Sequence, residues 1–183
     1  KLDPQSGTAL EIGTSGDTLN VPSGVTLDIN SGATLDATGA TVTGAIGKIL
    51  QVVNTIYTSE TASSSSTYAD TGLTLNITPS ATTSKVLIQV CQAGVGKNSA
   101  NTKCQIKLLA DGVAIHQFED DAGYNGATTS NYVGSSSTTY LHSPSTTSAV
   151  TYKTQFASSA DAANVSVNTN ASDSSITLME VGA

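Results

Sequence analysis

Side chains that could act in catalysis are scattered through this chain without a recognisable active-site motif. The two His residues, His116 and His142, are the candidate general bases. Ser and Thr make up 53 of the 183 residues, yet the G-x-S-x-G turn that presents a nucleophilic Ser is absent. A sugar hydrolase would need a separated pair of carboxylates, and no such pair stands out. We therefore expect a protein that is not an enzyme, with no catalytic residue and no cofactor.

Two further segments have the composition of ion-binding or phosphate-binding sites but lack the required spacing. Glu119-Asp120-Asp121 is an acidic run whose carboxylates could bind Ca²⁺, although it does not match the twelve-residue calcium loop. Residues 93–98, AGVGKN, lack the full Gly spacing of a phosphate loop and the hydroxyl residue that follows its Lys. We expect a solvated acidic loop, a hairpin loop between two strands at 93–98, and no metal site.

The two Cys residues, Cys91 and Cys104, are expected to remain unpaired. If residues 85–93 and 103–109 form a hairpin, placing Val90 opposite Cys104 matches apolar residues along the whole buried face. That register turns Cys91 away from Cys104, so a disulfide would need the register shifted by one residue. Unpaired thiols suit a protein that assembles in a reducing cytoplasm.

The stretch from Asp120 to Ser137 is rich in Gly, Ser and Asn and is the candidate binding region, expected to be a long connection between strands. A Tyr side chain offers a sugar both an apolar ring face and a hydroxyl, and loops on a rigid scaffold often carry recognition. The alternative is that Tyr140, together with Tyr132, only packs in the core or at a subunit contact. The candidate binding residues are Asp120, Asp121, Tyr124, Asn125 and Tyr132.

The composition predicts that strands position these residues. Hydrophobic residues make up 38% of the chain and charged residues 11%, which is not the composition of a disordered protein. Abundant β-branched Thr and Val favour strands over helices. A net charge of −7 disfavours nucleic acid as a partner, because a phosphate backbone is bound by clustered basic residues. No stretch reaches the roughly 18 apolar residues that insertion into a membrane as a helix requires.

An eight-residue repeat follows a short N-terminal segment, residues 1–17. Residues 18–25, 26–33 and 34–41 read TLNVPSGV, TLDINSGA and TLDATGAT. Each unit predicts a strand of about four residues and a turn, with two apolar side chains on one face. One copy of the chain cannot cover these side chains, so we predict a β stem over residues 18–47 in which copies intertwine around a common axis. A meander packed on the next domain and a flexible linker are the alternatives. The expected stem core residues are Leu19, Val21, Leu27, Ile29, Leu35 and Ala37.

Residues 48–183 show longer segments in which apolar and polar residues alternate, which predicts strands with one buried face. About nine such strands favour an antiparallel β-sandwich, with the jelly roll as one form. Asp111-Gly112 predicts a two-residue type I′ turn that sets Leu108 opposite Ile115 and places His116 on a polar face. The fold class is therefore all-β, a short intertwined stem followed by a sandwich. The predicted strands cover residues 49–57, 73–78, 85–93, 103–109, 113–118, 136–142, 150–156, 163–168 and 174–181.

Several segments of the chain resemble tail fibre proteins of marine and cyanobacterial phages. Residues 13–24, GTSGDTLNVPSG, and the octads after them are similar to the stems of these fibres. Residues 47–53, 68–79 and 175–183 resemble the C-terminal domain of the same proteins. These stretches lie at both ends and in the middle of the chain.

The resemblance implies a homotrimeric structural protein of a phage virion, assembled in the host bacterial cytoplasm. Its distal domain would attach the particle to a host-surface glycan or protein, and the candidate binding residues would then be receptor contacts. Residues 1–17 would contact other virion proteins of the tail, baseplate or capsid. The alternative is a capsid-decorating or head-fibre protein that does not bind a receptor directly.

Overall fold

A computed structural model describes residues 22–23 and 49–182 of the chain. Pro22 and Ser23 are exposed, and Ser23 lies in a turn. The rest of the predicted stem, with its core residues from Leu19 to Ala37, lies outside the described residues, as does the N-terminal segment 1–17. These assignments therefore stay predictions.

Residues 49–182 form an all-β fold, as the alternation of apolar and polar residues predicts. The helical element in this part of the chain is one 3-10 turn, Thr169–Ala171. None of the described residues belongs to a helix with the length and apolarity that crossing a membrane requires. The strands are β1 (Ile49–Tyr57), β2 (Thr61–Ser63), β3 (Ala69–Ile77), β4 (Lys85–Lys97), β5 (Thr102–Ala110), β6 (Val113–Asn125), β7 (Asn131–His142), β8 (Val150–Ser158), β9 (Val165–Val167) and β10 (Ser174–Val181).

The ten strands pair as one long folded hairpin. β5 pairs with β6 through the Asp111-Gly112 turn, and the pairs β4–β7, β3–β8, β2–β9 and β1–β10 follow outward in order. Rolling this hairpin places β1-β10-β4-β7 in sheet A and β3-β8-β5-β6 in sheet B. The short β9 and β2 extend sheet A beside the end of β4. This strand order is that of a jelly roll, so the sandwich prediction is confirmed in its jelly-roll form.

β4 spans the sandwich and defines its two ends. Its first residue, Lys85, pairs with Val181, which in turn pairs with Ile49. Its last residue, Lys97, pairs with Asn131 at the start of β7. A strand of 13 residues is roughly 40 Å long. We call the end at Ile49, where the preceding residues join, the proximal end, and the end at Lys97 the distal end.

The inward side chains of the two sheets form two apolar clusters, one in each half of the sandwich. The proximal cluster includes Ile88 and Tyr152, and the distal cluster includes Ile106 and Phe156, all fully buried. β4 and β8 run through both halves, and buried residues alternate with less buried ones along each strand until its distal end, where residues 94–97 and 156–158 are buried consecutively. The rigid core therefore continues beneath both outer faces of the sandwich.

A buried polar layer separates the two clusters. Gln92 of β4 donates through Nε2 to Asn168 Oδ1 at 2.9 Å and to Ser174 Oγ at 2.8 Å. Thr154 of β8, in the opposite sheet, donates through Oγ1 to Gln92 Oε1 at 2.9 Å. All four side chains are fully buried and hydrogen-bonded, so they do not carry the cost of unpaired buried polar groups.

The predicted hairpin between β4 and β5 is wrong, because the two strands lie in different sheets. β4 continues in sheet A through the predicted loop at 93–98 and ends only at Lys97. Val90 and Cys104 both point into the interior, but from opposite sheets. Cys91 is half-buried on the outer face of sheet A, and both thiols are free, so the prediction that they are unpaired is confirmed.

The Asp111-Gly112 turn has the predicted form, since its two residues have positive φ values of 46° and 81°. A bulge then shifts the register, so that Leu108 pairs with His116 and the predicted pairing of Leu108 with Ile115 is wrong. The shift turns the His116 ring toward β7, where it stacks on Tyr140 with centroids 5.1 Å apart. The predicted position of His116 on a polar face is therefore also wrong.

Candidate functional site

Most of the predicted binding stretch is strand. β6 runs to Asn125 and β7 begins at Asn131, so the connection between them consists of residues 126–130 alone. The long connection expected between Asp120 and Ser137 is therefore wrong. Its polar residues form strand because β7 pairs with β4 along its length. The candidate residues consequently occupy fixed positions, in two separate groups.

Asp120 and Asp121 belong to the first group, on the outer face of sheet B. Alternate residues of β5, Lys103, Gln105 and Lys107, point to the same face, because the residues between them are buried. An open depression of about 800 Å³ lies here, and we call it the sheet B depression. Its lining residues are Tyr68, Gln105, Gln117, Phe118, Glu119, Asp120 and Asp121.

Hydrogen bonds hold the two Asp carboxylates of the depression. Asp120 accepts from the amides of Gln105 and Gln117, the latter at 2.9 Å. Lys103 Nζ donates to Asp121 Oδ1 at 2.6 Å and to Asp120 Oδ2 at 3.3 Å. The Gln105 amide, followed by the Lys103 ammonium, lowers the pKa of the Asp120 carboxyl below its ordinary value. Exposed ion pairs stabilise a fold by only about 0–1 kcal/mol, so this cluster chiefly orients polar groups on the surface.

Tyr68 supplies an aromatic ring at the edge of the depression. Lys107 Nζ lies 3.9 Å from the ring centroid, which is a cation–π contact. Burial, together with the nearby charge of Asp120, raises the pKa of the Tyr68 hydroxyl. Tyr68, Gln105 and Gln117 are not among the binding residues predicted from the sequence. The alternation of Lys and Gln around buried Cys104 was the signal that could have found the β5 residues.

Glu119 also lines the depression, but its carboxylate is held by different hydrogen bonds from those of Asp120 and Asp121. Its Oε1 accepts the backbone N–H groups of Asp120 and Asp121 at 3.0 Å each, and its Oε2 accepts the hydroxyl of Ser136 at 2.8 Å. The acidic run thus lies within β6, and the expected solvated loop at this position is wrong. Within residues 49–182, no three His, Cys, Asp or Glu side chains form a group suited to a metal ion.

The second group of candidate residues lies at the distal end. Tyr124 and Tyr132 expose 59% and 46% of their surface, which leaves both rings available to a partner. The Tyr132 ring lies against Gly96, where an added Cβ would be only 2.3 Å from Cδ1. Tyr140, in contrast, is half-buried and packs against the proximal core, which confirms for this residue the alternative of a packing role.

A fully buried lysine anchors this end of the molecule. Lys97 Nζ donates to Ala127 O at 2.6 Å, to Asn125 O at 3.3 Å and to Asn125 Oδ1. The Asn125 side chain also accepts the backbone N–H of Ala127 at 3.1 Å, so its oxygen is already occupied. The ammonium therefore draws the start of the 126–130 connection onto the end of β4.

A second hydrogen-bonded carboxylate, Asp70, lies on the outer face of sheet B, away from the depression. Asp70 accepts from Lys153 Nζ and from Gln155 Nε2, both at 2.8 Å. The hydrogen bond from Lys153 is the main cause that lowers the pKa of Asp70. With Lys103, Lys107, Asp120 and Asp121, this face carries three Lys and three Asp side chains, and the Glu119 carboxylate also lines the depression.

Solved protein structures include chains that are similar to this one. No family model and no curated protein matches the chain. Among solved structures, the crystal structure of the infectious bursal disease virus VP2 subviral particle is similar, with a TM-score of 0.39 and 12% sequence identity. The similarity covers 73% of this chain and 37% of the viral chain, so the chain spans little more than a third of that protein's length.

Proposed function

We propose that the chain is a non-enzymatic structural protein of a phage virion, a trimeric tail fibre whose jelly-roll domain attaches the particle to a host-surface glycan. The octad repeat and the resemblance of residues 13–24 to fibre stems support the fibre assignment. The adhesive role is supported chiefly by the position of two exposed Tyr rings. The exposed rings of Tyr124 and Tyr132 lie at the distal end, roughly 40 Å along β4 from the point where residues 1–48 join.

The sheet B depression supplies the chemistry that a glycan would require. Sugar hydroxyls donate to carboxylate oxygens and accept from amide N–H groups, and Asp120, Gln105 and Gln117 offer both kinds. The Tyr68 ring presents an aromatic surface at the edge of the same depression. Because these side chains are already oriented by hydrogen bonds to one another, a ligand would pay little for ordering them.

The charged residues on the outer face of sheet B indicate which class of glycan it would bind. The outer face of sheet B carries three Lys and three Asp, Glu119 also lines its depression, and the whole chain has a net charge of −7. An excess of cations, which an acidic polysaccharide would favour, is lacking among the described residues of this face. We therefore propose a neutral sugar as the ligand. Each site is open to solvent and weak by itself, and three copies on one fibre would raise the avidity.

The test is adsorption to host cells and binding to a panel of neutral and acidic host-surface glycans. Full-length protein with Tyr68→Ala and Gln105→Ala should lose at least about tenfold in glycan affinity, because one ordered contact is worth roughly 1–2 kcal/mol. Tyr124→Ala with Tyr132→Ala should reduce cell adsorption while leaving folding intact. Gln155→Ala is the matched control, since Gln155 makes the same kind of hydrogen bond to Asp70 on the other side of the sheet.

Retained adsorption in both double variants would contradict the adhesive role. Capsid decoration without receptor binding would then be the better proposal. In that case the protein should be found on the capsid, and its removal should leave host adsorption of the particle unchanged. Binding of acidic glycans alone would contradict the choice of a neutral sugar.

A further inference from the structure

An apolar row crosses the outer face of sheet A near the proximal end. Val52 of β1 pairs with Met179 of β10, Met179 with Leu87 of β4, and Leu87 with Leu141 of β7. Directly paired residues in adjacent strands project to the same face of a sheet. The residues that flank Leu87 and Met179 in their strands are buried in the core, so the row itself points outward. We call these four residues the apolar row.

The apolar row is solvent-accessible in the single chain. Val52 is 56% exposed and Leu141 49% exposed, while Leu87 and Met179 are half-buried. Ile49 and Leu50, at 52% and 43%, extend the apolar surface to the beginning of β1. Single exposed apolar residues are common, but a continuous row across four strands is typical of an interaction surface.

The two outer faces of the sandwich differ in charge. Sheet B carries three Lys and three Asp, whereas Lys85 is the single charged residue among the described strand positions of the sheet A outer face. The chain has a net charge of −7, so two copies repel each other wherever their acidic surfaces approach. Contact between copies costs least through a face without acidic residues, and the described strand positions of the sheet A outer face meet that condition.

The course of the chain also favours another copy of this protein as the partner of the apolar row. Ile49 is the first strand residue after the octad-repeat region, and it lies beside the apolar row at the proximal end. If residues 18–47 intertwine with other copies, the Ile49 residues of those copies are held close together. The neighbouring sheet A faces are then brought together at an effective concentration on the order of millimolar.

We propose that the apolar row is the contact through which the jelly-roll domains of the trimer pack against one another. This inference rests on the trimeric part of the proposed function. The row is about 14 Å long, since three strand spacings of about 4.8 Å separate its ends. A stable interface usually buries about 800 Å² on each partner, so a contact of this size acts together with the stem.

Thiol labelling of full-length protein tests the contact. In a Cys91→Ser background, Leu141→Cys places a reporter on the apolar row, and Val113→Cys places a control at the sheet B hairpin, where Val113 is 67% exposed. The remaining Cys104 is fully buried, and burial raises the pKa of its thiol to about 12, so it reacts slowly. Maleimide should label Leu141→Cys at least about tenfold more slowly than Val113→Cys in the native trimer and equally fast in urea.

A charge on the row should remove this protection. Adding Val52→Asp to Leu141→Cys should raise its labelling to the rate of the control, whereas Thr139→Asp, on the same face but in a polar row, should have a smaller effect. A trimer in which Leu141→Cys labels as fast as Val113→Cys would overturn the packing contact and leave the trimeric fibre intact. A monomeric full-length chain, measured by light scattering, would overturn both.

Discussion

Glu180, at 1% exposure, is a buried carboxylate in the proximal half of the sandwich. It accepts hydrogen bonds from Gln51 Nε2 at 2.6 Å and from the backbone N–H and the hydroxyl of Ser80, both at 2.7 Å. Burial by itself would raise the pKa of this carboxyl, but the hydrogen bonds outweigh it and lower the pKa to about 2. Glu180 therefore ties β10 to β1 and to the loop after β3 in its charged form.

The pH dependence of the free energy of unfolding should reveal the contribution of Glu180. A folded pKa of about 2 against an ordinary value of 4.5 makes the charged form stabilising above pH 4.5, and that stabilisation is lost as the pH falls toward 2. Glu180→Gln should lower the free energy of unfolding by about 2 kcal/mol at pH 7. The difference from the unmodified chain should shrink between pH 5 and pH 2. Urea unfolding across this range measures it, with Glu60→Gln as an exposed control; a gap that stays constant with pH would show that Glu180 does not act through its charge.

The two thiols should behave differently because of their positions. Cys91→Ser should change the free energy of unfolding by less than about 0.5 kcal/mol, equally in oxidising and reducing buffer, because the side chain is half-exposed and unpaired. Cys104→Ser places a hydroxyl in the distal core and should destabilise the fold in both buffers alike. Thermal unfolding measures both variants. A loss in the Cys91→Ser variant confined to oxidising buffer would reveal a disulfide.

Among the elements, β4 contributes most to the architecture, since it pairs with β10, β7 and β9 and carries Gln92 into the polar layer. Gln92→Met keeps the approximate volume of the side chain but removes the hydrogen bonds of Gln92 to Thr154, Asn168 and Ser174. Thr154 keeps Thr71 as a partner, and Asn168 keeps Ser174. We expect the free energy of unfolding to fall by about 2 kcal/mol, because buried hydrogen bonds are lost while the remaining polar groups stay partly paired. Gln89→Met, on the outward face of the same strand, should change it by less than about 0.5 kcal/mol. Equal losses in the two variants would show that the layer does not stabilise the fold.

The strands could largely be located from the sequence, but their partners could not. β1 and β10 have the predicted bounds, because turn residues flank a clear alternation of apolar and polar positions. β2 was missed, since three residues are too few for a periodic signal. The β4–β5 hairpin was wrong for a physical reason: two strands that each bury one face show the same alternation whether they pair side by side or pack across a sandwich.

At the scale of the whole molecule, the domain is polarised along its length. The apolar row and Ile49 lie at the proximal end, while the Lys97 anchor and the exposed Tyr124 and Tyr132 lie at the distal end. In our proposals, contact between copies uses the outer face of sheet A, whereas contact with a receptor uses the distal end and the sheet B depression. This separation lets variants at one end be used as controls for the other.

The candidate site could be predicted only in part. Asp120, Asp121 and the two exposed Tyr residues could be selected from the sequence, because they combine consecutive carboxylates and aromatic rings in a stretch rich in Gly, Ser and Asn. Tyr68 and Gln105 were missed because they come from distant parts of the chain, and strand pairing brings them to one face. A single sequence contains no local signal for such a pairing, since the nested hairpin is established by contacts between residues far apart.

The nested hairpin also determines when the molecule can be completed during synthesis. β10 is made after the other nine strands, yet it lies between β1 and β4 in sheet A, so β1 has no strand beside it until β10 has left the ribosome. Met179 belongs to β10, and the apolar row is therefore incomplete on a nascent chain that has not yet exposed this strand. We expect chains on one polysome to dock their jelly-roll domains only after β10 has emerged, so that copies without this strand are excluded from the assembled domains.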